Sequence, residues 1–228
     1  MRSPGTVLVT GGASGLGAAV VAAVREAGGR PLVLDLVPPE DGSEHEVVDV
    51  ADRAAVEAAV QSLAARTEGL DAVVTAAGID RCGTLADVPA HEWEKVVSVN
   101  LLGTVSVVRA ALPQLVRSGG TVVTVASTLG VKAVSDATAY CAAKFGVVGF
   151  TRALTAEMKG RVRVTLLVPG GMHTAFFDDR TEQYRPGPDA KLNRPEDVAA
   201  TVLVALTQPA GCEIRELVVT SSEESSWP

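Results

Sequence analysis

Thr6-Val7-Leu8-Val9-Thr10-Gly11-Gly12-Ala13-Ser14-Gly15-Leu16-Gly17 decides the fold. Its first five residues are a short apolar run rich in β-branched side chains, the pattern of a parallel strand buried on both faces. The run stops at glycines. Leu16, Val20, Val24 and Ala27 then recur at helical spacing until Gly28-Gly29 ends the helix. Strand, glycine loop and helix in that order form the setting of a phosphate cradle. Glycines let the backbone turn tightly and approach a pyrophosphate, whose charge is stabilised at the helix N-terminus. The spacing is G-x3-G-x-G, and a glycine loop by itself could also be a plain turn.

Outward from this unit the alternation continues. Leu32-Val33-Leu34-Asp35 reads as a second strand ending in a carboxylate. Asp35 lies eighteen residues past Gly17, close to the ~20 expected of an acidic residue that binds an adenosine ribose. An ordinary strand-end aspartate facing solvent would read the same way. Glu46 to Val50 reads as a third strand, and Asp52 as the N-cap of a helix with Val56, Ala59, Val60 and Leu63 on one face. A fourth strand begins at Leu70 and runs into Ala76-Ala77-Gly78. A helical stretch from about Ala90 to Val116 follows, interrupted at Asn100 and Gly103. The fifth strand is Thr121 to Ser127, and a helix carrying Tyr140 and Lys144 extends to about Lys159. The sixth strand, Val162 to Val168, stops at Pro169-Gly170-Gly171. Residues 172–194 read as a polar flap over a substrate site. Pro195 opens a helix, Glu213 to Thr220 is the last strand, and residues 221–228 form a polar tail. No linker or repeat divides the chain. The expectation is one doubly wound, Rossmann-type α/β domain over residues 1–228, with its ligand at the carboxyl ends of the strands.

Composition limits what such a domain does. Of 228 residues, 47% are hydrophobic and 21% charged, which excludes a disordered chain. A formal charge of −7 argues against a general nucleic-acid surface. The three cysteines and three histidines show no metal-ligand spacing and no disulfide framework, so no metal is expected. No window approaches ~18 uninterrupted apolar residues, and no signal-peptide pattern opens the chain. A cytoplasmic protein without membrane or nucleic-acid partners is expected.

Within Ala139-Tyr140-Cys141-Ala142-Ala143-Lys144, tyrosine and lysine are four residues apart and so share one helix face. An ammonium beside a phenol favours the phenolate and lowers its pKa towards the range of an acid/base catalyst. Such a pair arises often by chance. Its company gives it weight: Thr10-Gly11-x3-Gly15-x-Gly17, Asp49-Val50, Asn100, Ser127 thirteen residues before Tyr140, and Pro169-Gly170. With these motifs in order, residues 6–219 resemble the classical short-chain dehydrogenase/reductase family.

The resemblance implies a seven-stranded, largely parallel sheet in the order 3-2-1-4-5-6-7. It implies Tyr140 as the acid/base, Ser127 orienting the substrate oxygen, and Lys144 binding the nicotinamide ribose. Asn100 would hold a water that links Lys144 to solvent. Gly11, Gly15 and Gly17, with Ser14 and Leu16 between them, would line the pyrophosphate. Asp35 would take the ribose, and Asp49 and Val50 the adenine pocket. Ala76, Ala77 and Gly78 stand where the family usually has Asn-Ala-Gly. Pro169, Gly170, Met172 and Thr174 would hold the carboxamide, with Met172 replacing the usual valine or isoleucine. His173 and Cys141 border the site. The implied activity is hydride transfer between NAD, in preference to NADP, and a secondary alcohol or ketone. The alternatives are a 3-oxoacyl-thioester reductase and a non-catalytic dinucleotide sensor on the same fold. A small-molecule substrate and a homodimer or homotetramer complete the expectation.

Overall fold

The structure is a computed structural model that describes residues 2–227; Met1 and Pro228, the outer limits of the expected domain and tail, lie outside the described residues. The strands are β1 (Thr6–Thr10), β2 (Arg30–Asp35), β3 (Glu44–Val47), β4 (Ala72–Thr75), β5 (Thr121–Val125), β6 (Arg163–Pro169) and β7 (Glu216–Val219). They form a single seven-stranded sheet in the order β3-β2-β1-β4-β5-β6-β7, parallel at every pairing. The helices are α1 (Gly15–Glu26), α2 (Arg53–Ala65), α3 (Ala90–Val97), α4 (Thr104–Ser118), α5 (Thr138–Glu157) and α6 (Pro195–Leu206).

Alternation along each strand divides the core in two. Leu8, Leu32, Leu34, Val73, Val122 and Val164 point to one face, where α2 and α4 supply Val56, Val60, Leu63, Val107 and Leu115. Val7, Val9, Val33, Val74, Val123 and Leu167 point to the other, under Val20, Val24, Val198 and Val202 of α1 and α6. Burial on both faces is why these strands are apolar throughout rather than alternating. Reversal of direction at β1 opens a crevice at the carboxyl ends of β1 and β4, the position where doubly wound sheets hold ligands.

Most strand ends shift by one to three residues from the sequence expectation, and three of the differences have a clear local reason. β3 ends at Val47, not Val50, because the Asp49 carboxylate accepts the Ala51 N–H and the Asp49 carbonyl takes the Asp52 N–H, turning the chain into α2. Asp52 does cap α2, accepting from the Ala54 and Ala55 amides. The expected interruption between residues 90 and 116 is a π-helical segment, Ser98–Gly103, that joins α3 to α4 without a break. Its Gly103 leaves room for Val50, whose side chain would sit 2.9 Å from a Cβ there. β7 starts at Glu216 because the Val164 N–H of β6 is taken by the Glu213 side chain instead of a strand carbonyl.

The continuous helical run Ala90–Ser118 is long and apolar enough to cross a membrane by length and composition alone. Here it packs against α2 and α5 and buries Val96, Val107, Val108, Ala111 and Leu115 in the core.

Candidate active site

Five strand ends deliver the groups. Thr10 closes β1, and its hydroxyl accepts the Ala77 N–H at 3.0 Å, tying the glycine loop to the loop after β4. Gly11 has φ +68°, and a side chain there would meet the Ala77 backbone at 2.9 Å. A Cβ on Gly17 would collide with the Gly11 carbonyl, so the first turn of α1 lies directly on the loop. Ser14 precedes α1 without capping it, and no acidic residue occupies its first turn. Among the described residues, the leading N–H groups, including those of Gly15 and Leu16, therefore have no side-chain acceptor and suit an anion. The Leu16 side chain itself is buried in the core beneath α6.

Asp35 ends β2. One carboxylate oxygen accepts the Ala13 N–H at 2.9 Å and the other the Leu36 N–H at 2.7 Å, so the carboxylate adjoins the glycine loop. Leu36 and Val37 beside it are exposed, as is Asp49, whereas Val50 is buried against α2 and the π-helical segment. After β4, Ala76 packs in the core and Gly78 threads a gap: a Cβ there would lie 2.7 Å from Asn100 Oδ1 and 3.7 Å from Lys144 Nζ.

Asn100 is completely buried. Its amide donates to the carbonyls of Ile79 and Val96, both at 2.8 Å, and its Oδ1 accepts the Ile79 N–H at 3.3 Å. The side chain thereby fixes the loop after β4 against the π-helical turn. Ser127 follows β5 and its hydroxyl accepts the Leu129 N–H at 3.1 Å. Tyr140 and Lys144 project from the buried side of α5, with Lys144 Nζ 5.6 Å from the tyrosine ring centroid and 2.9 Å from the Val125 carbonyl.

The electrostatics correct one expectation. Burial of Tyr140 raises its pKa well above the ordinary phenol value, and the Ser127 hydroxyl only partly offsets this. The anticipated depression by Lys144 does not appear. Lys144 is itself buried, which lowers its pKa to about 8, and its ammonium donates to a carbonyl instead of the phenol. Desolvation disfavours the charged form of both groups.

Residues 172–194 lie across this site. Met172 bridges Asn193 through the backbone and packs its side chain into the α1/α6 core, while His173 is exposed and Cys141 buried. Thr174 caps the 3-10 turn Ala175–Phe177, and its methyl would meet a Cβ on Gly15 at 3.4 Å. Phe176 packs on Tyr140 with ring centroids 5.8 Å apart. Arg180 stacks against Phe176 and Phe177 and reaches Asp80, after β4, at 2.7 Å. The Asp80 side chain is only 2% exposed, so this pair holds the segment down over the tyrosine.

Sequence reasoning missed Asp80, Phe176 and Arg180. Two adjacent phenylalanines in a polar segment were the available signal; nothing marked Asp80 as their anchor. The sequence also reads as a plain polar tail over residues 221–228. In the structure Glu224 accepts the Gly171 N–H and Ser226 meets Thr128.

A parallel doubly wound sheet with a glycine loop at β1 and a Ser-Tyr-Lys group at β5 and α5 defines a dinucleotide-dependent oxidoreductase fold. Residues 5–185 match the short chain dehydrogenase family, and the chain belongs to it. It is an oxidoreductase of that family, which uses nicotinamide cofactors. An uncharacterized oxidoreductase of Staphylococcus aureus is 32% identical over 224 residues, 93% of this chain and 95% of the relative. D-threitol dehydrogenase of Mycolicibacterium smegmatis is 32% identical over 225 residues, 89% of this chain and 86% of that one. In structure, ligand-free aldohexose dehydrogenase of Thermoplasma acidophilum superposes with a TM-score of 0.86 at 22% identity, covering 95% of this chain and 92% of that one. An alcohol dehydrogenase of Thermococcus sibiricus complexed with 5-hydroxy-NADP gives 0.83 at 24% identity, covering 94% and 95%. Both structural likenesses establish the fold alone.

Proposed function

We propose that the protein transfers a hydride between NAD(H) and a secondary alcohol or ketone. Convergence of Ser127, Tyr140 and Lys144 beside an uncapped helix N-terminus at one sheet edge carries this reading. When bound, the nicotinamide supplies or accepts the hydride. The chain does the rest. Its glycine loop and the first turn of α1 hold the pyrophosphate, and Asp35 takes the ribose hydroxyls. Lys144, the backbone amide of Met172 and Thr174 would hold the nicotinamide end. Ser127 orients the substrate oxygen through its hydroxyl. Tyr140 donates a proton to that oxygen as negative charge develops during reduction, and recovers it in the reverse direction. Burial that keeps Tyr140 protonated suits the donor role. Asn100 holds the loop after β4 in place, and its part in a proton path by way of water belongs to the same proposal. Residues 172–194 close over the substrate, with Phe176 and the Asp80–Arg180 pair excluding water from the reacting oxygen. Relatedness to a threitol dehydrogenase favours a small polyol over an acyl thioester, and a nicotinamide-dependent reaction favours a cytoplasmic setting. The test is turnover with NAD(H) across small polyols, secondary alcohols and ketones; no turnover with any member would count against catalysis.

Cofactor choice follows from Asp35. In NADP a phosphate of charge roughly −1.5 to −2 replaces the ribose 2′-hydroxyl. A like-charge pair at ~4 Å costs on the order of 1 to 4 kcal/mol. Neither Ser14 nor Leu36 nor Val37 offers a compensating charge. NAD(H) should therefore be preferred by at least ~10-fold in kcat/KM, which needs only ~1.4 kcal/mol. Asp35→Ala should shrink that preference, and Leu36→Arg added to it should reverse it. Equal kcat/KM values for the two cofactors in the wild type would remove Asp35 from the ribose.

Assembly belongs to the same reading. Leu102 (54% exposed), Val116 (39%) and Phe145 (43%) leave apolar surface on the π-helical segment, α4 and α5. Pairing of these helices across a two-fold axis would cover it. Light scattering at micromolar concentration should give a dimer or tetramer; a monomer would contradict the pairing.

A further inference from the structure

The segment after β7 doubles back over the carboxyl edge of the sheet and makes contacts that a solvated tail would not. Glu224 Oε2 accepts the Gly171 N–H at 3.1 Å. Its other oxygen accepts the Ser226 N–H at 3.0 Å and the Ser226 hydroxyl at 2.6 Å, which locks the carboxylate in one orientation. The Ser226 hydroxyl also lies 2.7 Å from the hydroxyl of Thr128, the residue after Ser127. Lys132 donates to the Ser225 carbonyl at 2.9 Å. One short strap thus touches both the turn after β6 and the turn after β5.

Gly170 changes meaning in this light. A Cβ on it would collide with the Glu224 carboxylate. Gly170, expected in the nicotinamide pocket, is also the seat of the strap. Its own N–H is held by the Val219 carbonyl at 2.9 Å, and the Gly171 carbonyl accepts the Asn193 N–H at 2.9 Å. With Glu224 on the Gly171 N–H, the turn leading into Met172 and Thr174 is fixed on each side. Burial opposes the charge on Glu224, but hydrogen bonds from Ser226 and Gly171 outweigh it and hold the carboxyl below its ordinary pKa. The group therefore acts as an anionic, charge-assisted acceptor.

We propose that Glu224 is a positioning residue for the nicotinamide site: it fixes the Gly170-Gly171 turn and, through Ser226, registers that turn against the segment carrying Ser127. The proposal rests on the NAD(H) reading above. Glu224 touches no reacting atom; it acts through the Gly171 amide, which sets the entry to Met172 and Thr174.

The test uses the full chain with Glu224→Ala and Glu224→Gln, NADH as the probe, and three readouts. These are NADH affinity by fluorescence, amide exchange at Gly171 without cofactor, and kcat at saturating NADH. Loss of one charge-assisted acceptor should weaken NADH binding about 10-fold in the alanine variant. Gly171 exchange should accelerate by a similar factor, while kcat changes by less than about threefold, because binding geometry is lost and proton transfer is not. Glutamine keeps an acceptor for Gly171 but cannot accept from Ser226 through its NH₂, so it should fall between alanine and wild type. A lower melting temperature with NADH affinity and Gly171 exchange unchanged would make Glu224 merely structural and overturn the proposal. Should the alanine variant fail to fold, glutamine decides: affinity equal to wild type overturns it. A wild-type protein that does not bind NADH would defeat the functional reading itself. Binding by wild type that the variants match defeats only the role of Glu224.

Discussion

Tyr140→Phe should lower kcat by ~10² to 10⁴-fold, the usual contribution of a positioned proton donor, while leaving NADH affinity and the fold nearly intact. The substitution deletes one oxygen. The ring that packs against Phe176, Ala139 and Val96 remains, so no cavity opens. A phenol hydroxyl so buried must also be desolvated to fold, and phenylalanine avoids that cost. The melting temperature should therefore be equal or slightly higher. Rapid kinetics of NADH oxidation with a ketone, beside NADH titration of the same variant, separate the two effects. Near-wild-type turnover would mean that the proton comes from elsewhere.

Lys144→Met should abolish most turnover and yet make the cofactor-free protein more stable at neutral pH. Lys144 is 4% exposed, and burial lowers its pKa from 10.5 to about 8. Below pH 8 the folded protein carries a charge it holds less favourably than the unfolded chain does, by roughly 3 kcal/mol. Methionine removes that cost and fills a similar volume. Against this, the Val125 carbonyl loses its donor, which costs about 1 to 2 kcal/mol. The net expectation is a gain of about 1 to 2 kcal/mol at pH 7. Between pH 8 and 10.5 the unfolded chain binds the proton that the folded one has released, so wild-type stability rises with pH across that window. The variant lacks that rise, and its advantage should disappear by the upper end. Thermal unfolding at several pH values reads this directly. A destabilised variant at pH 7, or a wild type whose stability falls from pH 8 to 10.5, would contradict the burial argument.

Much of this site was legible in the sequence because its signals are local. Thr6 to Gly17 encodes a strand, a turn and a helix start in one stretch, and period and glycine placement suffice to read it. Tyr140 and Lys144 share a helix face by spacing alone. Residues at strand ends, such as Asp35, Ser127 and Pro169, come together by topology, since parallel strands deliver all their carboxyl ends to one edge. What could not be read depends on tertiary contact. Asp80 meets Arg180 across 100 positions, and Glu224 meets Gly171 across 53; no periodicity reports either pair. The ionisation states of Tyr140 and Lys144 were misjudged for a related reason. Spacing shows that an ammonium lies near a phenol, but only burial of both, and the Val125 carbonyl that claims Lys144, show which interaction prevails. The strand ends at Val47 and Glu216 depended on side chains, Asp49 and Glu213, that take backbone partners otherwise used in turn or ladder.

The central claim is that this chain moves a hydride and does not merely bind a dinucleotide. The most direct measurement is mass spectrometry of the product after incubation with NADH deuterated at the transferable position and a panel of small ketones and ketoses. The account predicts one deuterium at the carbinol carbon of at least one product with the wild type, and a loss of that product of ~10² to 10⁴-fold in rate with Tyr140→Phe. NADH binding without deuterium in any product would contradict it and identify a dinucleotide-binding protein that does no chemistry.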